Sequence, residues 1–240
     1  MKSLRPSLLC LPSIASTHIP FQSSYHSSLL RMASEPPFSS RNSSSSSNDT
    51  TENSSVLASA SSAIDFLTLC HRLKTTKRAG WVKREIENPE SIADHMYRMG
   101  LMALIAPEIP GVDRDKCIKM AIVHDIAEAI VGDITPFDGV PKLEKSRRER
   151  EAINRMCNLL GGGPRANEIS ELWMEYEENA SLEAKFVKDC DKVEMILQAL
   201  EYENGQGKDL DDFFQSTAGK FQTQLGSAWA AEIASRRKNK

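Results

Sequence analysis

Apolar residues recur at helical spacing from about Ser61 onward and at no fixed spacing before it. Ile64, Phe66, Leu67, Cys70 and Leu73 form the first periodic set, and Ser62 with Asp65 three residues on has the form of a capping box opening that helix. The connector KTTKRAGWVKREIENPES follows. It ends with Asn88 before Pro89, a capping residue ahead of a proline suited to a first helical turn, and has room for a short extended piece over residues 81–86. The next helix carries Ile92, Met96, Met99 and Ala103 at i, i+4, i+7 and i+11 and stops within residues 107–111. Asp113 or Asp115 opens a third helix, which runs to Gly132. LEKSRREREAINRMCNLLGGG reads as a charged helix with an apolar edge and a glycine stop. Helices around residues 167–179 and 181–203 lead to an amphipathic segment over residues 211–236. With no convincing period of two, the pattern predicts one all-α domain over residues 61–240.

Residues 1–60 have a different character. Around RNSSSSSNDTTENSS there is too little apolar surface to offset the entropy of ordering, which predicts a disordered Ser-rich segment. Lys2, Arg5 and Arg31 precede the first acidic residue, Glu35, and Ser and Thr are frequent, as in an organelle transit peptide. Serine outweighs arginine, which favours plastid (chloroplast) over mitochondrion. The alternative is a disordered tail of a cytoplasmic protein, with a second translation start at Met32. A secretory signal is disfavoured because the short apolar run at residues 8–11 is broken by Pro12.

Composition narrows the function classes. No apolar run approaches the roughly 18–20 residues of a spanning helix, because Lys119, His124 and Asp125 interrupt the greasiest stretch, so no membrane partner is expected. Thirty Lys and Arg against 33 Asp and Glu give a net charge of −3, hence no basic field for a nucleic-acid polymer. Any phosphate it recognises is held by a few placed groups. The five cysteines are odd in number, far apart and without a C-x-x-C, which fits reduced core residues rather than a disulfide framework or zinc ribbon.

AIVHDIAEAIVGDITP, residues 121–136, sets His124, Asp125 and Glu128 among Ile122, Val123, Ile126, Ile130 and Val131 and follows them with Asp133. Such groups are costly to bury without partners. His124 and Glu128, four residues apart, share a helix face, with Asp125 displaced by about 100°. His124 and Asp125 are too few to hold a metal alone. His95 lies on the preceding helix, so an antiparallel hairpin brings both imidazoles together. In FVKDCDKVEMILQALEYE, Asp189 and Asp191 both flank the stripe of Phe186, Cys190, Val193, Leu197 and Leu200, and either can supply an oxygen ligand. The stripe is centred nearer Asp189. The competing interpretation is a hydrogen-bonded core pair with solvated flanks.

The order His95, His124-Asp125 and a late Asp in an all-α chain resembles the HD-domain metal-dependent phosphohydrolases. More closely, GWVKREIENPESIADHMYRMGLMA, HDIAEAIVGDITP and DKVEMILQALEYE look like the HD domain-containing protein 2 group of 5'-deoxynucleotidases, over about residues 62–235. The resemblance implies that His95, His124, Asp125 and Asp191 ligate a divalent metal, with D-x-x-E-M-I-L-Q-A choosing Asp191 over Asp189. It implies that Glu128 and Asp133 are an essential acidic pair, positioning water, protonating the leaving group or holding a second ion with help from the Ile134 carbonyl. The family's upstream arginine and tryptophan fall on Arg78, for the phosphate, and Trp81, near the sugar. Bacterial relatives have that pair adjacent, whereas two residues separate it here, so Lys77 and Arg84 are substitutes for the arginine. The implied reaction is hydrolysis of a deoxynucleoside 5'-monophosphate to deoxynucleoside and phosphate by a homodimer using Mn, Co or Mg. Fe and Zn also suit mixed imidazole and carboxylate donors. The rivals are a guanosine tetraphosphate hydrolase, whose Glu-Asp after the His-Asp pair is Glu128-Ala129 here, another HD phosphohydrolase, and a non-enzymatic metal-stabilised regulatory module. HD-type cyclic dinucleotide phosphodiesterases expect a Gly-Tyr-Pro signature, which is absent.

Overall fold

A computed structural model describes residues 46–238; the expected targeting segment lies outside the described residues as far as residue 45. Ten α-helices follow in order: α1 Ser46–Thr75, α2 Ala79–Lys83, α3 Ile92–Ile105, α4 Arg114–Val123, α5 Glu128–Val131, α6 Lys142–Leu159, α7 Gly163–Glu178, α8 Leu182–Gln206, α9 Asp211–Thr217 and α10 Gln224–Lys238. The fold is all-α, and no helix among the described residues is long and apolar enough to cross a membrane. The cysteines at 70, 117, 157 and 190 are free.

The long helix α8 is the axis on which the site is built. It packs against α3, α4, α7, α9 and α10. Ile92 and Met99 from α3, Met120 from α4, Trp173 from α7, and Phe186 and Val187 from α8 itself are almost completely buried between them. The i, i+4, i+7 stripe read on α3 is the face that enters this core, which removes its apolar area from water.

Several boundaries differ from the sequence reading. Helix α1 begins at Ser46, inside the stretch expected to be disordered. Low apolar content argues against packing, but extending an already nucleated helix needs only one new hydrogen bond per residue. Helix α3 is capped by Ser91, not Asn88: Ser91 Oγ accepts from Asp94 N–H at 3.2 Å and Asp94 Oδ2 accepts from Ser91 N–H at 2.8 Å. Asn88 instead sits in a turn at φ 48°. Residues 81–86 are not extended. They form the end of α2 and a turn closed by Ile86 N–H to Trp81 O at 3.1 Å, because Trp81 and Ile86 both enter a small cluster with Ala199 and Leu210.

The helix expected over residues 113–132 breaks at His124. Ile126 N–H and Glu128 N–H bond to the carbonyls of Val123 and Asp125, three residues back, at 3.0 Å each, and the chain overwinds before α5 resumes. Gly132, at φ 77°, then ends it. Helix α7 starts at Gly163 with Pro164 in its first turn, earlier than residue 167.

The C-terminal segment divides into α9 and α10, and Asp189 explains where. Its fully buried carboxylate accepts from Gln222 N–H at 2.8 Å, Thr223 N–H at 2.7 Å, Thr223 Oγ1 at 2.8 Å and Lys192 Nζ at 3.1 Å. It thereby satisfies backbone donors at the start of α10. Gly226 makes the approach feasible, since a Cβ there would lie 2.6 Å from Asp189 Oδ2.

Candidate active site

His95 on α3 is fully buried, and its Nδ1 lies 2.6 Å from Glu194 Oε2 on α8. Glu194 in turn accepts from Arg98 Nε at 2.8 Å. A carboxylate behind an imidazole fixes the tautomer and ring orientation and leaves Nε2 as a donor to a metal. That Nε2 faces Asp191 Oδ1 at 3.3 Å and Asp125 Oδ2 at 3.8 Å. His124 caps α4; its Nδ1 is held on the Ala121 carbonyl at 2.9 Å, which turns Nε2 toward Asp125 Oδ2 at 3.2 Å. The two rings stand 5.4 Å apart, centroid to centroid.

Neither Nε2 has a hydrogen-bond partner, although both are buried. Two orphaned imidazole nitrogens are costly in a dry interior unless something accepts their lone pairs. His95, His124 and Asp191 offer ligand atoms all within 4.8 Å of one another, and Asp125 Oδ2 borders the same point. This donor set fits a divalent ion of borderline character. Tyr176 on α7 donates to Asp191 Oδ2 at 2.9 Å, leaving Oδ1 on the His95 side.

The electrostatics point the same way. Burial opposes ionisation of Asp125, yet His124, Arg78 and His95 hold its carboxyl well below the usual range. Asp191 is likewise held low against its burial, chiefly by His95 and His124. Burial and Arg78 pull the His95 imidazole down, but Asp191 and Glu194 outweigh them and lift it to about 9. The cluster therefore attracts positive charge. Glu128 behaves oppositely: burial, then the neighbouring charges of Asp125 and Asp133, push its carboxyl well above the usual range, and its Oε2 is buried without a hydrogen bond.

Arg78 comes from the turn before α2, and its Nη1 lies 3.2 Å from Asp125 Oδ2 and 4.0 Å from Asp133 Oδ2. Asp133 Oδ2 also accepts from Ala79 N–H at 2.7 Å, which ties the connector to the floor of the site. The two substitutes for Arg78 point elsewhere: Lys77 is exposed, and Arg84 pairs with Asp212. Trp81 borders the site but is mainly a packing residue, 2 % exposed, with Nε1 donating to Glu90 Oε1 at 2.8 Å and its ring 4.4 Å from Phe213.

All of these groups meet at one cavity of about 490 Å³. Arg78, Trp81, His124, Asp125, Glu128, Asp133, Ile134 and Asp191 line it, and His95 lies behind them. Sequence reasoning missed Glu194 and Tyr176, which orient His95 and Asp191, and it missed Lys145 and Lys188 in the wall. Glu194 carried a signal, a charge one residue after Val193 on the buried side of α8. Tyr176 and the lysines carried none, since they reach the cavity only through contacts between helices.

A family model described as HD domain matches residues 70–233. The chain is 52% identical over 165 residues to 5'-deoxynucleotidase HDDC2 of Mus musculus, covering 68% of this chain and 82% of that protein. It is 48% identical over 187 residues to 5'-deoxynucleotidase hdd1 of Schizosaccharomyces pombe, covering 75% and 92%. Among solved structures it is similar to the PH0347 protein of Pyrococcus horikoshii OT3, with a TM-score of 0.61 at 33% identity, covering 74% of this chain and 99% of the other. It is also similar to HD domain-containing protein YGK1, with a TM-score of 0.57 at 31% identity, covering 74% and 86%.

Proposed function

The chain belongs to the HD-domain family, and on that footing we propose that it is a metal-dependent 5'-deoxynucleotidase, a phosphoric monoester hydrolase releasing phosphate from deoxynucleoside 5'-monophosphates. The observation that carries this reading is the pair of unpartnered imidazole nitrogens facing Asp125 and Asp191 in a cavity that also holds Arg78. His95, His124, Asp125 and Asp191 would hold the divalent ion. A divalent ion held there would supply Lewis-acid polarisation of the ester and a water of lowered pKa.

The remaining steps belong to the chain's own groups. Arg78 engages Asp125 through Nη1 alone, so the rest of its planar fork serves the non-bridging phosphate oxygens. Asp133, bonded to Ala79 N–H and facing Arg78, positions that arginine. Burial beside Asp125 and Asp133 pushes the Glu128 carboxyl upward, which suits it to protonate the departing 5'-oxygen. Glu194 and Tyr176 orient His95 and Asp191. Ile134 borders the cavity next to Asp133, where its carbonyl would serve any second ion.

Phosphate release from dAMP, dCMP, dGMP and dTMP in the presence of Mn, Co or Mg tests the reading directly. Turnover is expected, and Asp125→Ala is expected to abolish it at unchanged far-UV circular dichroism. Silence with every nucleotide and metal would sink the assignment, while loss of folding alone in the variant would favour a structural metal.

The proposal extends to a homodimer. Tyr97, Leu101, Leu104 and Ile105 are exposed at i, i+4, i+7 and i+8 on the outer face of α3, and Ile122 of α4 is exposed beside Gly100. A contiguous apolar face of this kind is more than the scattered exposure normal for a monomer. Light scattering is expected to give twice the chain mass, falling to the monomer for Leu104→Glu; a monomeric unaltered protein would refute the assembly.

A further inference from the structure

Phe137 is among the most exposed large apolar side chains of the described residues, 73% exposed, yet it lines the same cavity as Arg78 and Asp125. It sits in a 3-10 turn, Pro136–Asp138, held from two sides. Asp138 Oδ2 accepts from Thr135 N–H and Oγ1 at 2.7 Å each, and Lys83 Nζ donates to Thr135 Oγ1 at 2.5 Å and Asp138 Oδ1 at 2.7 Å. A turn tethered this firmly fixes where the ring stands, and an aromatic left in water on a fixed turn has a large unmet burial term.

Phe137 stands four residues after Asp133, so the chain rises from the acidic floor to the rim within about 14 Å. A single nucleotide can span that reach with its phosphate at Arg78. Three polar groups near the turn already have partners: Asp212 pairs with Arg84, Thr135 with Asp138 and Lys83, and Ser216 Oγ donates to the Phe213 carbonyl at 2.7 Å. Beside that turn, the surface most open to a base is the aromatic ring of Phe137.

Resting on the deoxynucleotidase reading, we propose that Phe137 is the platform against which the nucleobase lies, so that affinity for the base comes from stacking at the rim while the phosphate is held at the floor. Base-on-aromatic contact is indifferent to base identity in its hydrogen bonding and stronger for the larger purines. Phe137 is then a specificity-determining residue, separating nucleotides from sugar phosphates that lack a base.

The test compares KM and kcat for dAMP and for 2-deoxyribose 5-phosphate in the unaltered protein, Phe137→Ala and Phe137→Trp. The unaltered protein is expected to prefer dAMP through KM. Phe137→Ala is expected to shrink that preference about tenfold, with dAMP suffering more than dCMP, and Phe137→Trp to keep it. An alanine variant with the original preference, or a tryptophan variant that loses as much as alanine, overturns the platform role while leaving the enzymatic reading intact. Failure of the unaltered protein to hydrolyse dAMP removes both.

Discussion

Alanine at Asp191 is expected to lower phosphate release more than about a hundredfold while the protein stays helical and folded, because even groups one step behind a metal ligand cost about 10–100-fold when removed. Asp191 is the oxygen that faces His95 Nε2 at 3.3 Å, and its other oxygen is held by Tyr176. It projects into the cavity rather than into the packed core, so its loss strands the Tyr176 hydroxyl but no backbone donor. Two measurements decide the matter together, turnover with dAMP and metal, and metal uptake by the purified variant. Retained turnover, or full metal binding with no turnover, would remove Asp191 from the ligand set.

Alanine at Asp189, only two residues away, is expected to do the reverse. That carboxylate, 0% exposed, is the acceptor for the backbone N–H groups of Gln222 and Thr223, for the Thr223 hydroxyl and for Lys192. Removing it leaves several part-buried donors without their acceptor, at about 1 kcal/mol each, for a total of about 3 kcal/mol. For a domain of this size that corresponds to a melting temperature lower by about 6–12 °C. Turnover measured well below the new transition should survive. A variant that melts with the unaltered protein would show that α10 is anchored by other contacts.

This pair of aspartates also shows what a sequence can and cannot disclose. Helical periodicity measures burial, and it leaned toward Asp189 because that residue is indeed the more buried of the two. Its burial serves a contact with residues 33 and 34 positions later, which leaves no trace in local pattern. Family resemblance selected Asp191, and the geometry sets that carboxylate beside both imidazoles. The His95 and His124 pairing was legible because two consecutive antiparallel helices leave few alternatives. The break after His124 was not: Ile126, Ala127 and Ala129 carry no stop signal, and the overwound turn is visible only in its hydrogen bonds. Family resemblance sets Trp81 near the sugar; it lines the cavity while its ring also packs on Tyr202 and Phe213 and its Nε1 donates to Glu90. Lys145, Lys188 and Phe213 reach the cavity from three separate helices, and no spacing within a helix foretells such convergence.

The anchoring of α10 on Asp189 bears on how fragments of the protein are to be judged. A piece ending short of residue 222 contains His95, His124, Asp125 and Asp191 in full, together with every acid and base assigned to the reaction. It lacks the Gln222 and Thr223 donors and the α10 face that packs over Asp189, and so uncovers one side of the very helix that presents the last ligand. Possession of the complete ligand roster is therefore not possession of the site, and inactivity of such a fragment would speak to its missing anchor rather than to its chemistry.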